Sequence, residues 1–220
     1  MISKNKNIIL NYLFSLKYMG FEYVNPINID KTKKIEQELS DDLDELETTI
    51  SNCNLCLFSK TRRNTLAGLG NKNADVIFLS LAPSSFDDES GDMLSGNSGV
   101  MFTQMSQNVL NIPINELYIL TLLKCIPSTK DMNVEVNICK LYFQKQIEII
   151  KPKIIVAFGD VYKYLLANIA SFEEIRGTMQ DYNSIKLMPT YHPSFILRNP
   201  SVKKDVLNDL KKVKIIMESP

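Results

Sequence analysis

The sequence predicts an α/β protein: a three-layer α/β/α domain on a central four-stranded, mostly parallel sheet, preceded by a helical N-terminal extension. Apolar runs rich in β-branched residues recur without polar alternation, which is typical of strands buried on both faces of a parallel sheet. Segments of helical periodicity lie between these runs, so strand and helix alternate along the chain. The candidate strands are residues 76–79, 118–120, 154–158 and 185–188.

Residues 1–50 are predicted to form the helical extension, with two helices around a turn at Pro26. The second helix is acidic, since seven of the twelve residues from Glu36 to Glu47 are Asp or Glu. A solvated acidic helix serves as an accessory layer or as an arm that docks a protein partner. We therefore divide the chain into this extension and a domain over residues 51–220.

Helical periodicity within the domain falls at residues 100–110, 134–150, 160–170 and 201–214. The second of these helices is expected to end at Lys151, because a proline follows and disfavours helical geometry in the residue before it. Open α/β sheets bind ligands at the carboxyl ends of their strands. We expect the chemistry of this protein at that edge.

The composition is that of an ordinary globular chain, with 220 residues, 25 basic and 25 acidic side chains and a single histidine. Zero net charge excludes a strongly basic nucleic-acid coat, although it leaves room for a local basic surface. Such a surface is expected near the far end, where Lys203, Lys204, Lys211, Lys212 and Lys214 cluster. No apolar run reaches the roughly 18 residues of a membrane span, so we expect a cytoplasmic protein that binds no membrane.

Four cysteines are the residues most easily read as metal ligands. Cys53 and Cys56 form a C-x2-C pair, and Cys125 and Cys139 follow far along the chain. Disulfides are disfavoured without a secretion signal. Structural zinc and a four-thiolate iron–sulfur cluster are both compatible with the spacing, which does not separate them.

The sequence motifs around these cysteines bear on whether they hold zinc or an iron–sulfur cluster. Several motifs follow one another in a fixed order: Cys-Asn-Leu-Cys from Cys53, Leu-Lys-Cys-Ile-Pro from Leu123, Arg176-Gly177, and Tyr-His-Pro-Ser from Tyr191. In this order they resemble the family 4 uracil-DNA glycosylases, the [4Fe–4S] branch of the uracil-DNA glycosylase superfamily. The resemblance covers residues 53–213 and leaves the N-terminal extension outside it.

The resemblance implies a cofactor and a partner. Cys53, Cys56, Cys125 and Cys139 would ligate a structural [4Fe–4S] cluster. The partner would be DNA containing uracil or another deaminated base, bound by a monomer. Phosphate contact is expected from Lys124, and an apolar wedge in the minor groove from a loop with Ile196, Leu197 and Arg198.

The resemblance also implies hydrolysis of the bond between the base and deoxyribose, as in base excision repair. The target nucleotide must leave the stack and enter a pocket. His192, in the His-Pro-Ser motif with Ser194, would donate a hydrogen bond to the departing base. Such a donor acts as negative charge develops on the base.

Three pocket positions depart from family 4. Leu81 stands where the family's Gly-Glu-Ala-Pro-Gly motif has its Glu, Leu94 replaces the Phe that stacks on uracil, and Thr121 replaces the Asn that reads its edge. The first motif is instead similar to the Gly-Leu-Ala-Pro-Ala of family 5, whose members accept a wider set of deaminated bases. We expect Asp88 to serve the attacking water. Residues expected to bind the substrate are Leu81, Ala82, Pro83, Leu94, Thr121 and Ser194.

Two functions follow from this sequence. The leading hypothesis is an iron–sulfur DNA glycosylase that excises uracil or a related deaminated base. The competing hypothesis is a catalytically weakened or inactive glycosylase-like module that binds DNA and keeps the cluster. In that case the acidic extension would dock a repair or replication partner.

Overall fold

The structure, a computed structural model, describes residues 39–166 and 171–218. A six-stranded sheet in the order β1-β3-β2-β4-β6-β5 forms its centre. The four inner strands pair in parallel, and β1 and β5 add antiparallel edges. The strands are β1 (Leu69–Gly70), β2 (Val76–Ser80), β3 (Tyr118–Thr121), β4 (Ile154–Phe158), β5 (Gln180–Tyr182) and β6 (Ile185–Thr190). The mostly parallel α/β sheet is confirmed, but the predicted number of four strands was wrong.

Seven α-helices lie in the described part of the chain. They are α1 (Leu43–Ser51), α2 (Ser85–Ser90), α3 (Asn97–Met105), α4 (Asn133–Ile150), α5 (Phe172–Ile175), α6 (Pro193–Arg198) and α7 (Lys203–Glu218). A π-helical turn over Ser106–Leu110 extends α3. None of these helices is long and apolar enough to cross a bilayer.

The predicted helix boundaries hold for α4 but fail for the next segment. Helix α4 ends at Ile150, and Lys151 caps it in a left-handed conformation before the proline. The segment predicted as a helix over 160–170 is a short 3-10 helix, Gly159–Tyr164. Residues 167–170 lie outside the described residues.

Side chains alternate strictly along the inner strands and build two hydrophobic clusters, one on each face of the sheet. Ile77, Leu79 and Leu120 point into the cluster that contains Cys125 and Cys139. Phe78, Ile119 and Phe158 point into the other cluster, on the face where α3, α6 and α7 contribute buried side chains. The inner strands are therefore apolar over most of their length, because both of their faces are covered.

Helix α1 belongs to the cysteine-bearing face. Asp42 caps it by accepting the backbone N–H groups of Asp44 and Glu45. The predicted acidic helix thus exists over residues 43–51, and the preceding residues 1–38, with the first predicted helix, lie outside the described residues. The domain boundary after residue 50 stays a prediction.

We expect α1 to be essential for stability. Its Leu43, Leu46 and Ile50 are 4 %, 0 % and 0 % exposed, and burying three such side chains contributes at most roughly 5–9 kcal/mol. A variant lacking residues 1–51 should therefore unfold at much lower denaturant concentration than a variant lacking residues 1–38. Equal midpoints in urea unfolding would show that α1 adds nothing to the core.

Candidate active site and cysteine site

A cavity of about 110 Å³ opens at the carboxyl ends of the inner strands. Its floor is formed by strand ends, including Ser80, Thr121 and Phe158, and one wall by His192. Across from them lie residues of the segment that runs from α2 to α3, including Asp87 and Leu94. The cavity is thus where a parallel sheet is expected to bind a ligand.

His192 stands at the N-terminus of α6, where it acts as the cap residue. Its Nδ1 accepts the backbone N–H of Ser194 at 3.1 Å and lies 2.8 Å from the Ser194 hydroxyl. A backbone N–H can only donate, so Nδ1 carries no proton and the neutral ring carries its proton on Nε2. The ring therefore offers Nε2–H, a hydrogen-bond donor, to the cavity.

The surroundings keep His192 neutral. Burial, followed by the positive charge of Arg198, lowers the pKa of His192 to about 4, against a small opposing effect of Asp87. Phe158 packs edge-on against the imidazole, with ring centroids 5.7 Å apart. Near neutral pH the ring thus donates from an uncharged state.

A buried ion pair fixes the strand end that precedes His192. Asp209 of α7, 2 % exposed, accepts the Thr190 hydroxyl at 2.7 Å and pairs with Arg176 at 2.9 and 3.0 Å. At Gly177 any Cβ would lie 2.2 Å from the Asp209 carboxylate, and φ is +67°. This explains the Arg-Gly pair in the sequence: arginine holds the carboxylate, and glycine leaves room for it.

Asp87, not Asp88, faces the cavity. Asp87 accepts the N–H and hydroxyl of Ser84 at 2.8 and 2.6 Å and the N–H of Ser95 at 3.0 Å. Asp88 is 7 % exposed and accepts the backbone N–H groups of Arg63 and Asn64 at 3.0 and 3.1 Å. The expectation that Asp88 serves a water is therefore corrected, because its carboxylate fastens the preceding loop to α2. The Ser-x-x-Asp capping pattern of α2 is the sequence signal that singles out Asp87.

Three of the expected substrate-binding residues line the cavity, namely Ala82, Leu94 and Thr121. Leu81 instead packs against the cluster on the cysteine-bearing face. Pro83 is buried beside the cavity, and Ser194 acts through His192. Neither they nor Leu81 belong to the lining residues, so these three expectations of direct contact are not met.

The expected DNA-binding residues divide in the same way. Leu197 is 42 % exposed and Arg198 is exposed as well, so both are accessible. Ile196 is 3 % exposed and packs into the core. Lys124 is 1 % exposed, and its ammonium donates to the carbonyls of Thr121 and Ala67 at 2.7 and 3.3 Å. Burial removes both from the accessible surface, so neither is placed to contact a phosphate or a groove.

The four cysteines gather on the face of the sheet opposite His192. Cys125 and Cys139 are buried, and Cys53 and Cys56 pack against the same cluster as free thiols. Burial raises the pKa of Cys125 to about 11 and also raises the pKa of Cys139, and each thiol is raised further by Cys56 nearby. Burial thus favours the protonated form of Cys125 and Cys139, and a bound cation would favour their thiolates.

Hydrogen-bond donors surround this cysteine site. The guanidinium of Arg62 donates to Cys125 Sγ at 3.4 Å, the backbone N–H of Lys124 donates to Cys139, and the Tyr142 hydroxyl bonds to Cys53. Donors of this kind stabilise thiolate ligands and tune an iron–sulfur cluster. The chemistry of the donor set therefore fits a cluster.

Four cysteine sulfurs are also a possible ligand set for a single zinc ion. Within residues 39–166 and 171–218, no three histidine, cysteine or carboxylate side chains converge closely enough to hold one metal ion. Zinc binds sulfur at about 2.3 Å and would require the four sulfurs to draw together. A cluster holds one thiolate at each of its separated irons, so it demands less convergence.

Comparison with known proteins bears on both sites. A family profile described as the uracil DNA glycosylase superfamily matches residues 67–211. A Type-4 uracil-DNA glycosylase of Saccharolobus solfataricus is 30 % identical over 190 residues, which cover 81 % of this chain and 88 % of the relative. Proteins of the same name from Sulfurisphaera tokodaii and Thermotoga maritima are each 30 % identical, over 82 % and 75 % of this chain and 87 % and 89 % of theirs.

The protonation of His192 is directly measurable, because the chain contains one histidine. The imidazole signal should titrate by NMR with a midpoint near pH 4, and Arg198→Gln should raise that midpoint by removing a positive charge. The unfolded chain takes up this proton near pH 6.5, so the stability contributed by the neutral ring falls as pH drops from about 6.5 towards 4. A midpoint near 6.5 would contradict the burial of the ring.

Proposed function

The chain belongs to the uracil DNA glycosylase superfamily, and on that premise we propose that it hydrolyses the N-glycosidic bond of uracil or a related deaminated base in DNA. The observation that carries the proposal is the neutral His192 in the cavity wall, whose Nδ1 is held by Ser194. Its Nε2–H is a fixed donor in a half-buried site. Fixed donors act most strongly on charge that appears only during reaction.

In the proposed reaction the target nucleotide rotates out of the helix and its base enters the cavity. The bond between C1′ and the base nitrogen breaks, and both bonding electrons leave with the base. His192 donates a hydrogen bond to an oxygen of this anion, and the nearby positive charge of Arg198 favours it further. A water oxygen forms the new bond to C1′, and solvent returns a proton to the base.

Asp87 is the carboxylate that we assign to the water. It is the acidic side chain among the cavity-lining residues. Its oxygens are positioned by Ser84 and Ser95 and retain capacity for another hydrogen bond. A carboxylate so placed orients the water and receives its proton as the sugar becomes cationic.

DNA binding is assigned to the surface beside the cavity. Leu197 is the exposed apolar side chain of α6 next to the cavity wall, and it is the wedge that we propose fills the vacated stack. Arg198 and the lysines of α7 would contact phosphates without reading sequence. Residues 1–38 lie outside the described residues, so a protein partner for the acidic extension stays a prediction, as does the monomeric state.

Cys53, Cys56, Cys125 and Cys139 are the residues that we propose hold a [4Fe–4S] cluster. The cluster would link the loop after α1, the segment after β3 and helix α4 rigidly to one another. The chemistry at C1′ needs no electron transfer, so we assign the cluster a structural role. Arg62 and Tyr142 would hold the sulfurs in place.

His192→Ala should lower the release of uracil from single-stranded and mispaired oligonucleotides by about 10²–10³-fold, as expected for the loss of one preorganised donor. Ser194→Ala is the matched control, since it keeps the backbone N–H that sets the tautomer, and should cost less than tenfold. Release from the wild-type protein that does not exceed the His192→Ala background would contradict the proposal. DNA binding without release would favour the inactive module instead.

The adjacent carboxylates should differ in their effect on activity. Asp87→Asn should lower the base release of the folded protein about 10²-fold or more, and it should also lower the free energy of unfolding, because its carboxylate accepts the backbone N–H groups of Ser84 and Ser95. Asp88→Asn should cost roughly 1–3 kcal/mol of stability, because an amide mismatches two buried backbone donors, while the folded fraction keeps its activity. Single-turnover rates report activity and urea unfolding reports stability. Loss of activity in Asp88→Asn but not in Asp87→Asn would assign the water to Asp88 instead.

Protein purified without oxygen should contain iron and acid-labile sulfide and show broad visible absorption. Cys139→Ala should lose the iron and the colour, whereas Cys139→Ser tests whether an oxygen ligand suffices. Zinc with no iron in the anaerobic protein would overturn the assignment of the cluster.

A further inference from the structure

An aromatic ring is exposed at the rim of the cavity. Phe86 of α2 is 61 % exposed, and it directly precedes Asp87, which lines the cavity. It is the only aromatic residue among the large apolar residues exposed in the described parts of the chain. None of the ring–ring contacts between described residues involves it. Since burial is what makes such a ring stabilising, the fold gains little from Phe86.

The Phe86 ring is held in place although it is exposed. A Cβ built on Gly96 would lie 3.0 Å from Phe86 Cδ2, so the ring packs closely on this glycine, where a larger residue would push against it. Gly96 follows Ser95, whose backbone N–H donates to Asp87 at 3.0 Å. This hydrogen bond fastens the loop that carries Gly96 to α2. A side chain that is already fixed loses little conformational freedom when it binds a ligand.

A second exposed apolar residue lies on the other side of the cavity. Leu197, 42 % exposed, belongs to α6, which begins directly after the wall residue His192. Phe86 belongs to the segment across from that wall. When a nucleotide enters the cavity, its strand continues from the opening in both directions, which brings the neighbouring nucleotides to these two sides. An aromatic ring can stack on any of the bases, because every base has a π-face.

We propose that Phe86 is a stacking platform for the nucleobase next to the extruded one, and that it adapts this protein to single-stranded DNA. In a duplex the bases beside the extruded nucleotide stay paired and stacked on their outer neighbours, and an apolar wedge fills the gap between them. In a single strand there is no such gap, and a free base can lie on the Phe86 ring. This inference rests on the proposed function, because it assumes that a nucleotide of DNA enters the cavity.

Phe86→Ala should weaken the binding of a uracil-containing single strand about 5–150-fold, the range for one base–aromatic stack, and weaken duplex binding much less. Both dissociation constants are measured in a His192→Ala background, so that the uracil stays in place. Phe86→Leu keeps an apolar contact to Gly96 without a flat ring and should lose nearly as much, whereas Phe86→Tyr should bind like the parent. A ratio of single-strand to duplex affinity that does not change in Phe86→Ala would overturn the inference.

Fluorescence tests the stacking directly, because the chain contains no tryptophan. Phe86→Trp introduces a single indole at the rim, and a base that stacks on it should quench its emission when the uracil-containing single strand is added. Leu141→Trp is the matched control, since Leu141 is 60 % exposed on α4, the helix that carries Cys139 on the other face of the sheet. Quenching that is equal in the two variants, or absent from Phe86→Trp, would contradict the proposal.

Binding and base release together separate this inference from the proposed reaction. If the indole of Phe86→Trp is quenched but no base is released, the stacking stands and the hydrolysis fails. If wild type and Phe86→Ala release uracil from single strands with the same kcat and KM, the hydrolysis stands and the inference fails. A lower unfolding midpoint of Phe86→Ala in urea, with unchanged affinity for single strands, would show that the ring serves the fold and would also overturn the inference.

Discussion

Strict alternation of side chains along four parallel strands divides this molecule into two chemically different halves. Odd and even positions of a strand face opposite sides of the sheet, so Phe78 and Ile119 border the cavity while Ile77 and Leu79 point into the cluster that contains Cys125 and Cys139. A shift of one residue in any inner strand would exchange the two environments. The proposed chemistry and the proposed metal therefore depend on the same register.

Sequence alone predicted the inner strands well because both of their faces are buried, which leaves long apolar runs. The edge strands β1 and β5 have two and three residues and pair on one side only, so no such run marks them. The segment after β4 contains buried Val161 and Leu165, whose i, i+4 separation is typical of a helix. It begins at Gly159 with φ of +62° and winds only as a short 3-10 helix.

At the candidate site, sequence identified segments that border the cavity but not the direction of each side chain. Neighbouring residues point about 100° apart on a helix and oppositely on a strand, which separates Asp87 from Asp88 and Leu197 from Ile196. The burial of Lys124 follows from packing between β3 and α4, and burial lowers its pKa to about 7. The apolar residues Leu122 and Leu123, which precede Lys124, indicate in the sequence that this segment enters the core. His192 lines the cavity, and its role there stays a prediction.

Two sets of hydrogen bonds connect the cysteine-bearing face of the sheet to the cavity. Asp88 binds the chain after the first cysteine pair to the helix that carries Asp87, and Lys124 joins Cys139 through its N–H and Thr121 through its ammonium. The groups in both sets of hydrogen bonds are half-buried or buried. Loss of the proposed cluster would therefore disturb Cys139 and the loop after the first cysteine pair, and through these hydrogen bonds the walls of the cavity.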